Sequence, residues 1–183
     1  MRVLIIEDSE IKAKECLSAL TPFNAECTVV SNERDAKMKI KNCTDFDLVL
    51  LDMELNLSPD LSEGKGNYSG LSILNTMKYS GIHIPVIVVT VYRDFSEMKT
   101  TTDLNNLLVM YNSLYFQVSN NKAAATQYFD TRYLDGLHDY MSYRYKNYVG
   151  VVEYSVYNSI WKKRLQKMIC DCMEKKNYEN TNY

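Results

Sequence analysis

The segment Phe46-Asp47-Leu48-Val49-Leu50-Leu51-Asp52 decides the fold, because it is an apolar run that ends on a carboxylate. Such a run is typical of a strand buried on both faces of a parallel sheet. The chain opens in the same way, with Val3-Leu4-Ile5-Ile6 running into Glu7 and Asp8. If the two strands are parallel neighbours, the carboxylates meet at the carboxyl edge of the sheet, where an open α/β sheet has its ligand site.

This group of carboxylates predicts a bound divalent cation. Carboxylates that lie close together raise one another's pKa unless a cation neutralises them, and oxygen ligands suit Mg²⁺. The simpler alternative is that Glu7 and Asp8 only favour the start of a helix near Ser9, where negative charge suits the helix dipole. Taken alone, Asp52 could equally be a turn or helix-cap residue.

Hydrophobic periodicity predicts alternating strands and helices along the first half of the chain. The predicted strands are Val3–Ile6, Cys27–Val30, Phe46–Asp52 and Ile84–Thr90. The first predicted helix follows a Ser9 cap and turns Ala13, Cys16, Leu17 and Leu20 inward; the next two run from Glu33 to Lys41, capped by Ser31 or Asn32, and from Gly70 to Lys78. This order predicts an α/β fold with a doubly wound parallel sheet and right-handed crossovers.

The spacing changes after the fourth strand. The next predicted strand is Val149–Glu153, and the helix after it places Trp161, Leu165, Met168 and Cys172 on one face. Connections in such folds are short, so roughly forty of the intervening residues are additional structure. Residues 103–116 and 134–146 have helical composition, and the tail 174–183 is polar.

Composition limits the function classes. A chain of 183 residues fits one domain, and a net charge of −2 offers no basic surface for direct nucleic-acid binding. The cysteines form no C-x-x-C pair, which favours a reduced, cytoplasmic setting. We expect no signal peptide, and the longest apolar stretch, residues 84–92, is about half of the roughly 20 residues that span a membrane.

Together these residues resemble the receiver domain of two-component response regulators, the CheY-like superfamily. The resemblance covers residues 1–91 and resumes over residues 134–173. It is carried by the acidic pair Glu7-Asp8, by Asp52 as the phospho-accepting aspartate, by Gly70 opening helix three, and by Thr90 as the hydroxyl residue ending strand four.

The resemblance implies a flavodoxin-like sheet of five strands in the order 2-1-3-4-5, with an extra helical insertion before strand five. It implies a single receiver domain over residues 1–173, with insertions at about 57–67 and 94–133 and a polar tail at 174–183.

The resemblance also implies a single-domain response regulator that accepts a phosphoryl group on Asp52 from a histidine kinase or phosphotransfer protein. Mg²⁺ would be held by Glu7, Asp8, Asp52 and the backbone carbonyl of Glu54. The Thr90 hydroxyl would donate a hydrogen bond to the phosphoryl group. Such a domain phosphorylates itself, is not a turnover enzyme, and signals through contacts with a downstream protein.

The end of strand five departs from the receiver pattern. Receivers normally carry a lysine at the end of strand five, and here Glu153 or Tyr154 stands at that place. Phosphorylation would then be slower, or the domain would be a pseudo-receiver that acts as a phosphorylation-independent interaction module. A magnesium-dependent phosphatase is disfavoured, because Glu54 stands where that class has a second aspartate.

The insertions suggest partner contacts. The loop 57–67 is either a lid over the site or a tolerated surface insertion. Tyrosines crowd the second insertion and strand five, which favours either an interface, including a homodimer through the helix four and strand five side, or packing on the chain's own domain. His138 is interpreted as an ordinary surface residue.

Overall fold

The computed structural model describes residues 1–43, 45–55, 69–91, 141–142 and 144–181, with side chains as far as Glu174. The chain divides into two compact units, one formed by Met1–Val91 with Tyr145–Tyr183 and the other by Tyr92–Arg144. The architecture below is that of the first unit. Predictions for the loop 57–67, for the helix at 103–116 and for His138 lie outside the described residues.

Strands and helices alternate in the predicted order. The strands are β1 (Arg2–Ile6), β2 (Glu26–Val30), β3 (Leu48–Leu51), β4 (Val86–Thr90) and β5 (Tyr148–Glu153). The helices are α1 (Glu10–Leu20), α2 (Glu33–Asn42), α3 (Ser69–Tyr79) and α4 (Ile160–Thr181), and a short 3₁₀ helix, Thr21–Phe23, follows α1. Helix α4 continues well beyond the point at which the sequence turns polar.

The strands form one parallel sheet in the order β2-β1-β3-β4-β5, which confirms the predicted flavodoxin-like fold class. Strand β1 pairs with β2 on one side and β3 on the other, and β5 extends the sheet beyond β4. All residues of β3 and β4 are buried, as expected for central strands covered on both faces.

Side-chain caps fix where the first two helices begin. The Ser9 hydroxyl accepts a hydrogen bond from the Lys12 backbone N–H at 3.4 Å, so Ser9 is the N-cap of α1 as predicted. The Asn32 side chain accepts from the Asp35 N–H at 2.9 Å, which decides between the two predicted caps of α2 in favour of Asn32.

A hydrophobic core joins α1 and α4 to the sheet. Ala13, Cys16 and Leu20 are buried as predicted, but the prediction for Leu17 is wrong, since 38% of that residue is exposed. Ala19 is fully buried instead, because the buried stripe of α1 turns away from Leu17. On α4 the core includes Trp161, Leu165 and Ile169, with Met168 packed against them.

Candidate functional site

The carboxylates predicted to meet at the edge of the sheet do so. Ile6 and Leu51 are paired residues at the ends of β1 and β3, so Glu7 and Asp52 follow neighbouring strand ends. The backbone N–H of Asp52 donates to the carbonyl of Ile6 at 2.9 Å, which continues the pairing one step beyond β3. Both carboxylates are buried and Asp8 is partly buried.

These three carboxylates fit a divalent cation. Glu7, Asp8 and Asp52 each offer one oxygen, and the three oxygens lie within 4.8 Å of one another. An all-oxygen set of this charge suits Mg²⁺ better than a softer metal. Glu54, whose carbonyl the receiver resemblance adds as a ligand, lies two residues beyond Asp52 and is partly buried.

A lysine that the sequence analysis did not single out completes the site. Lys12 projects from the first turn of α1, and its Nζ lies 2.8 Å from Glu7 Oε2 and 2.9 Å from Asp52 Oδ2. Only 3% of the residue is exposed. Burial alone would lower the pKa of this ammonium, but the charges of Asp52 and Glu7 raise it above its usual value, so Lys12 is charged.

The second oxygen of Glu7 is also engaged. Glu7 Oε1 accepts the backbone N–H of Ser9 at 2.9 Å, at the start of α1. Burial raises the pKa of Glu7 to about 7, with Asp52 adding to the rise and Lys12 opposing it. Glu7 is therefore held in place by the helix start on one oxygen and by the lysine on the other.

Asp52 is bound in the same two-sided way. Its Oδ1 accepts the backbone N–H of Met53 at 2.8 Å, while Lys12 binds Oδ2. Burial raises the pKa of Asp52, and Lys12 and the Met53 N–H counteract the rise by stabilising the carboxylate. These contacts fix the orientation of a carboxylate of which only 8% is exposed.

Thr90 lies at the carboxyl end of β4 and is fully buried. It pairs with Glu153 in the sheet, and its carbonyl accepts the backbone N–H of Tyr154 at 2.7 Å. The residues at the end of β5 are therefore Glu153 and Tyr154, as the sequence analysis expected, and neither supplies a cation.

Tyr154 instead connects Lys12 to the core. Its ring centroid lies 5.7 Å from Lys12 Nζ and 4.9 Å from the ring of Trp161, in an edge-to-face arrangement. Trp161 is the only tryptophan of the chain and is buried. Its fluorescence is thus an optical probe separated from Lys12 by one aromatic ring.

Comparison with solved structures identifies this architecture. A response regulator receiver domain from Clostridium thermocellum aligns over 97% of each chain with 17% identity and a TM-score of 0.52. The chain has the receiver fold. A signal receiver domain of a putative LuxO repressor protein from Vibrio parahaemolyticus is 25% identical over 61% of this chain and 72% of its own, with a TM-score of 0.40. No protein-family model and no curated protein matches the sequence.

A membrane-spanning helix is not found in the described part of the chain, where no helix is both long and apolar enough.

Gly70, the residue predicted to open helix three, lies directly against the loop that carries Asp52. Its N–H donates to the Met53 carbonyl at 3.1 Å, and a Cβ added there would lie 2.7 Å from the Asp52 carbonyl oxygen and 2.8 Å from the Met53 Cα. Only glycine allows α3 to approach the backbone after β3 so closely.

The helical spacing of α1 indicates that Lys12 is buried, although a lysine is usually expected at the surface. Lys12 precedes Cys16 by four residues and Leu20 by eight, so it lies on the same stripe of α1 as these buried residues. A lysine on an apolar stripe is usually taken as a solvated residue at its margin. The burial of Lys12 is explained by the contacts of its ammonium with Glu7 and Asp52.

The tyrosines near β5 differ in their surroundings. Tyr145 is buried, and its hydroxyl donates to Asn75 Oδ1 on α3 at 2.9 Å, so this residue packs within the first compact unit. Tyr157, in contrast, is 95% exposed in the loop before α4. The tyrosines from Tyr111 to Tyr140 lie outside the described residues.

We expect Gly70→Ala to destabilise the protein by about 1–3 kcal/mol, because the added methyl group overlaps backbone atoms that cannot move independently. It should also weaken metal binding by displacing Asp52. Urea unfolding and a magnesium titration would measure the two effects.

Gly81→Ala is the matched control. Gly81 has φ +65°, so a side chain there costs about 1–2 kcal/mol of strain, but an added Cβ meets no atom within 4 Å. Equal metal affinity in both variants would contradict the prediction.

We expect Lys12→Met to cost about 3–5 kcal/mol of unfolding free energy without divalent cations, because it leaves Glu7 and Asp52 buried without their partner. Urea unfolding in EDTA would measure this. Lys14→Met is the control on the same helix, since Lys14 makes only an exposed pair with Glu10 and its loss should leave the midpoint nearly unchanged. Similar midpoints for both variants would show that the carboxylates do not depend on Lys12.

Proposed function

We propose that this protein is a single-domain response regulator of a two-component phosphorelay, which accepts a phosphoryl group on Asp52 from a histidine kinase or phosphotransfer protein. The observation that supports this most directly is the meeting of Glu7, Asp8 and Asp52 within 4.8 Å at the carboxyl edge of a receiver-type sheet. We further propose that residues 1–173 form the receiver, with insertions at about 57–67 and 94–133.

Asp52 is the nucleophile of the proposed reaction. One of its oxygens forms the O–P bond while the bond between phosphorus and the donor breaks, and the leaving group takes the electron pair. The Met53 N–H on Oδ1 and the Lys12 ammonium on Oδ2 hold the carboxylate in one orientation, so little entropy is lost when the donor arrives. The Thr90 hydroxyl would donate to a phosphoryl oxygen from the end of β4.

Glu7, Asp8, Asp52 and the backbone carbonyl of Glu54 would hold Mg²⁺. The ion supplies positive charge between the carboxylate and the incoming phosphoryl group, which otherwise repel each other. The protein modifies itself once for each signal and is not proposed to be a turnover enzyme. Its output would be a change of protein contacts in the cytoplasm, read by a downstream protein or by a second copy of the chain.

A second candidate is a pseudo-receiver that binds partners without phosphorylation. Two observations favour it. Glu153 is the residue that pairs with Thr90, so a carboxylate lies at the strand end where a receiver has a lysine. In addition, Lys12 already bonds to Asp52 and Glu7, which would stabilise the fold of the site without any phosphoryl group.

Acetyl phosphate distinguishes the two candidates. Incubation with acetyl phosphate and Mg²⁺, followed by intact-mass analysis, should show the gain of one phosphoryl group. Asp52→Asn should show no gain, because an amide is not nucleophilic enough to attack phosphorus, and EDTA should abolish the gain in the wild type. If Mg²⁺ binds but the wild-type mass does not change, the pseudo-receiver is the better account.

Metal binding is tested separately from phosphorylation. We expect Mg²⁺ to change Trp161 fluorescence and Asp8→Asn to weaken binding by about tenfold or more, since it removes one charged ligand. Asp171→Asn is the control, because Asp171 is exposed on α4. If Asp8→Asn and Asp171→Asn have equal affinities by fluorescence and calorimetry, Asp8 does not bind the ion.

A further inference from the structure

One cationic side chain contacts Asp52 within the residues that the structure describes, and it comes from α1. Lys12 Nζ lies 2.9 Å from Asp52 Oδ2, and only 3% of the lysine residue is exposed to solvent. The contact is independent of the end of β5, where Glu153 and Tyr154 stand. The position of Lys12 therefore calls for an explanation of its own.

Lys12 stabilises the two buried carboxylates, but fold stability alone does not explain why this site is built from charged residues. A positive charge in the first turn of α1 faces the positive end of the helix dipole, which is unfavourable. Burying Lys12 with Glu7 and Asp52 requires the desolvation of three charges, and apolar groups of similar volume are often at least as stabilising. A site that breaks local rules in this way is more readily explained by function.

The function we consider is neutralisation of the negative charge that phosphorylation would add at Asp52. Attaching a phosphoryl group to Asp52 replaces one carboxylate charge by about two charges on the phosphoryl oxygens, next to Glu7 and Asp8. Transfer to such an acceptor depends mainly on fixed positive charge around the phosphoryl oxygens. The end of β5 does not provide that charge, since the residues there are Glu153 and Tyr154.

The geometry of Lys12 suits the task. An ammonium has three N–H donors, and the carboxylates of Glu7 and Asp52 each accept one. A phosphoryl group bonded to Asp52 brings its oxygens close to that carboxylate, within reach of an Nζ that already lies there. The flexible lysine side chain can shift Nζ by a small distance while Glu7 continues to hold it.

We propose that Lys12 is the phosphoryl-binding cation of this receiver, taking the part that a lysine on β5 would otherwise have. This inference rests on the proposed phosphorylation of Asp52. As the O–P bond forms and the donor's bond to phosphorus breaks, Lys12 exchanges its contact with Asp52 Oδ2 for one with a phosphoryl oxygen. It keeps its proton and its contact with Glu7 throughout, so the step only changes a hydrogen-bond partner.

The test compares Lys12→Met with wild type and with Lys14→Met. Two readouts are taken in saturating Mg²⁺: the rate of phosphoryl gain from acetyl phosphate by intact mass, and the binding of beryllium trifluoride, a phosphoryl mimic, followed by Trp161 fluorescence. The third is the affinity for Mg²⁺ from a separate titration. We expect Lys12→Met to be at least tenfold slower and to bind the mimic at least tenfold more weakly, while its affinity for Mg²⁺ is unchanged or higher. Lys14→Met should match wild type in all three measurements.

A second pair of variants guards against loss of folding in Lys12→Met. Lys12→Met combined with Glu7→Gln removes one charge of each sign, so Asp52 alone loses its Lys12 contact while it keeps the Met53 N–H on Oδ1. The reference for this double variant is Glu7→Gln alone. The double variant should be at least tenfold slower and bind the mimic at least tenfold more weakly than that reference. Circular dichroism would establish that both variants are folded.

The outcomes separate this inference from the proposed function. If wild type gains a phosphoryl group and both Lys12 variants match their references in rate and in mimic binding, the function stands and the role of Lys12 is overturned. If Mg²⁺ affinity falls in parallel with the rate, Lys12 only maintains the shape of the site and the inference is also overturned. If wild type gains no phosphoryl group, the proposed function and this inference fail together.

Discussion

The parallel pairing of β1 with β3 is the constraint on which the site depends. Once Ile6 and Leu51 are opposite each other, Glu7 and Asp52 must follow at the same edge of the sheet. Loss of hydration on burial raises the pKa of both carboxylates; the charge of Asp52 raises the pKa of Glu7 further, and the charge of Asp8 does the same for Asp52. The fold therefore brings buried like charges together at the carboxyl edge of the sheet.

Lys12 is the cation that neutralises these buried carboxylates. Its ammonium binds both carboxylates, and its own pKa is raised because their charges outweigh the effect of its burial. The surroundings reinforce the arrangement: Ser9 caps α1 and donates its N–H to Glu7, while Gly70 lets α3 approach the loop after β3. Secondary structure, packing and electrostatics thus converge on the orientation of Asp52.

Two aromatic side chains connect the site to the hydrophobic core. Tyr154 lies between Lys12 and Trp161, and its N–H bonds to the carbonyl of Thr90 at the end of β4. A shift of Lys12 would therefore change the packing of Tyr154, the first residue after β5, and of Trp161 on α4. In the proposed function, this connection offers a physical route from a change at Asp52 to the surface around β5 and α4.

The sequence by itself determined the sheet, its order of elements and the carboxylate cluster, because strands buried on both faces have continuous apolar runs and because parallel strands end at one edge. It also determined that no cation stands at the end of β5. Tertiary structure decided the rest: Lys12 looks like a surface lysine in the sequence, and only the packing of α1 against β1 and β3 brings its Nζ within 2.9 Å of both carboxylates. The partner of a buried charge is set by contacts between elements distant in sequence, and helical periodicity does not contain them.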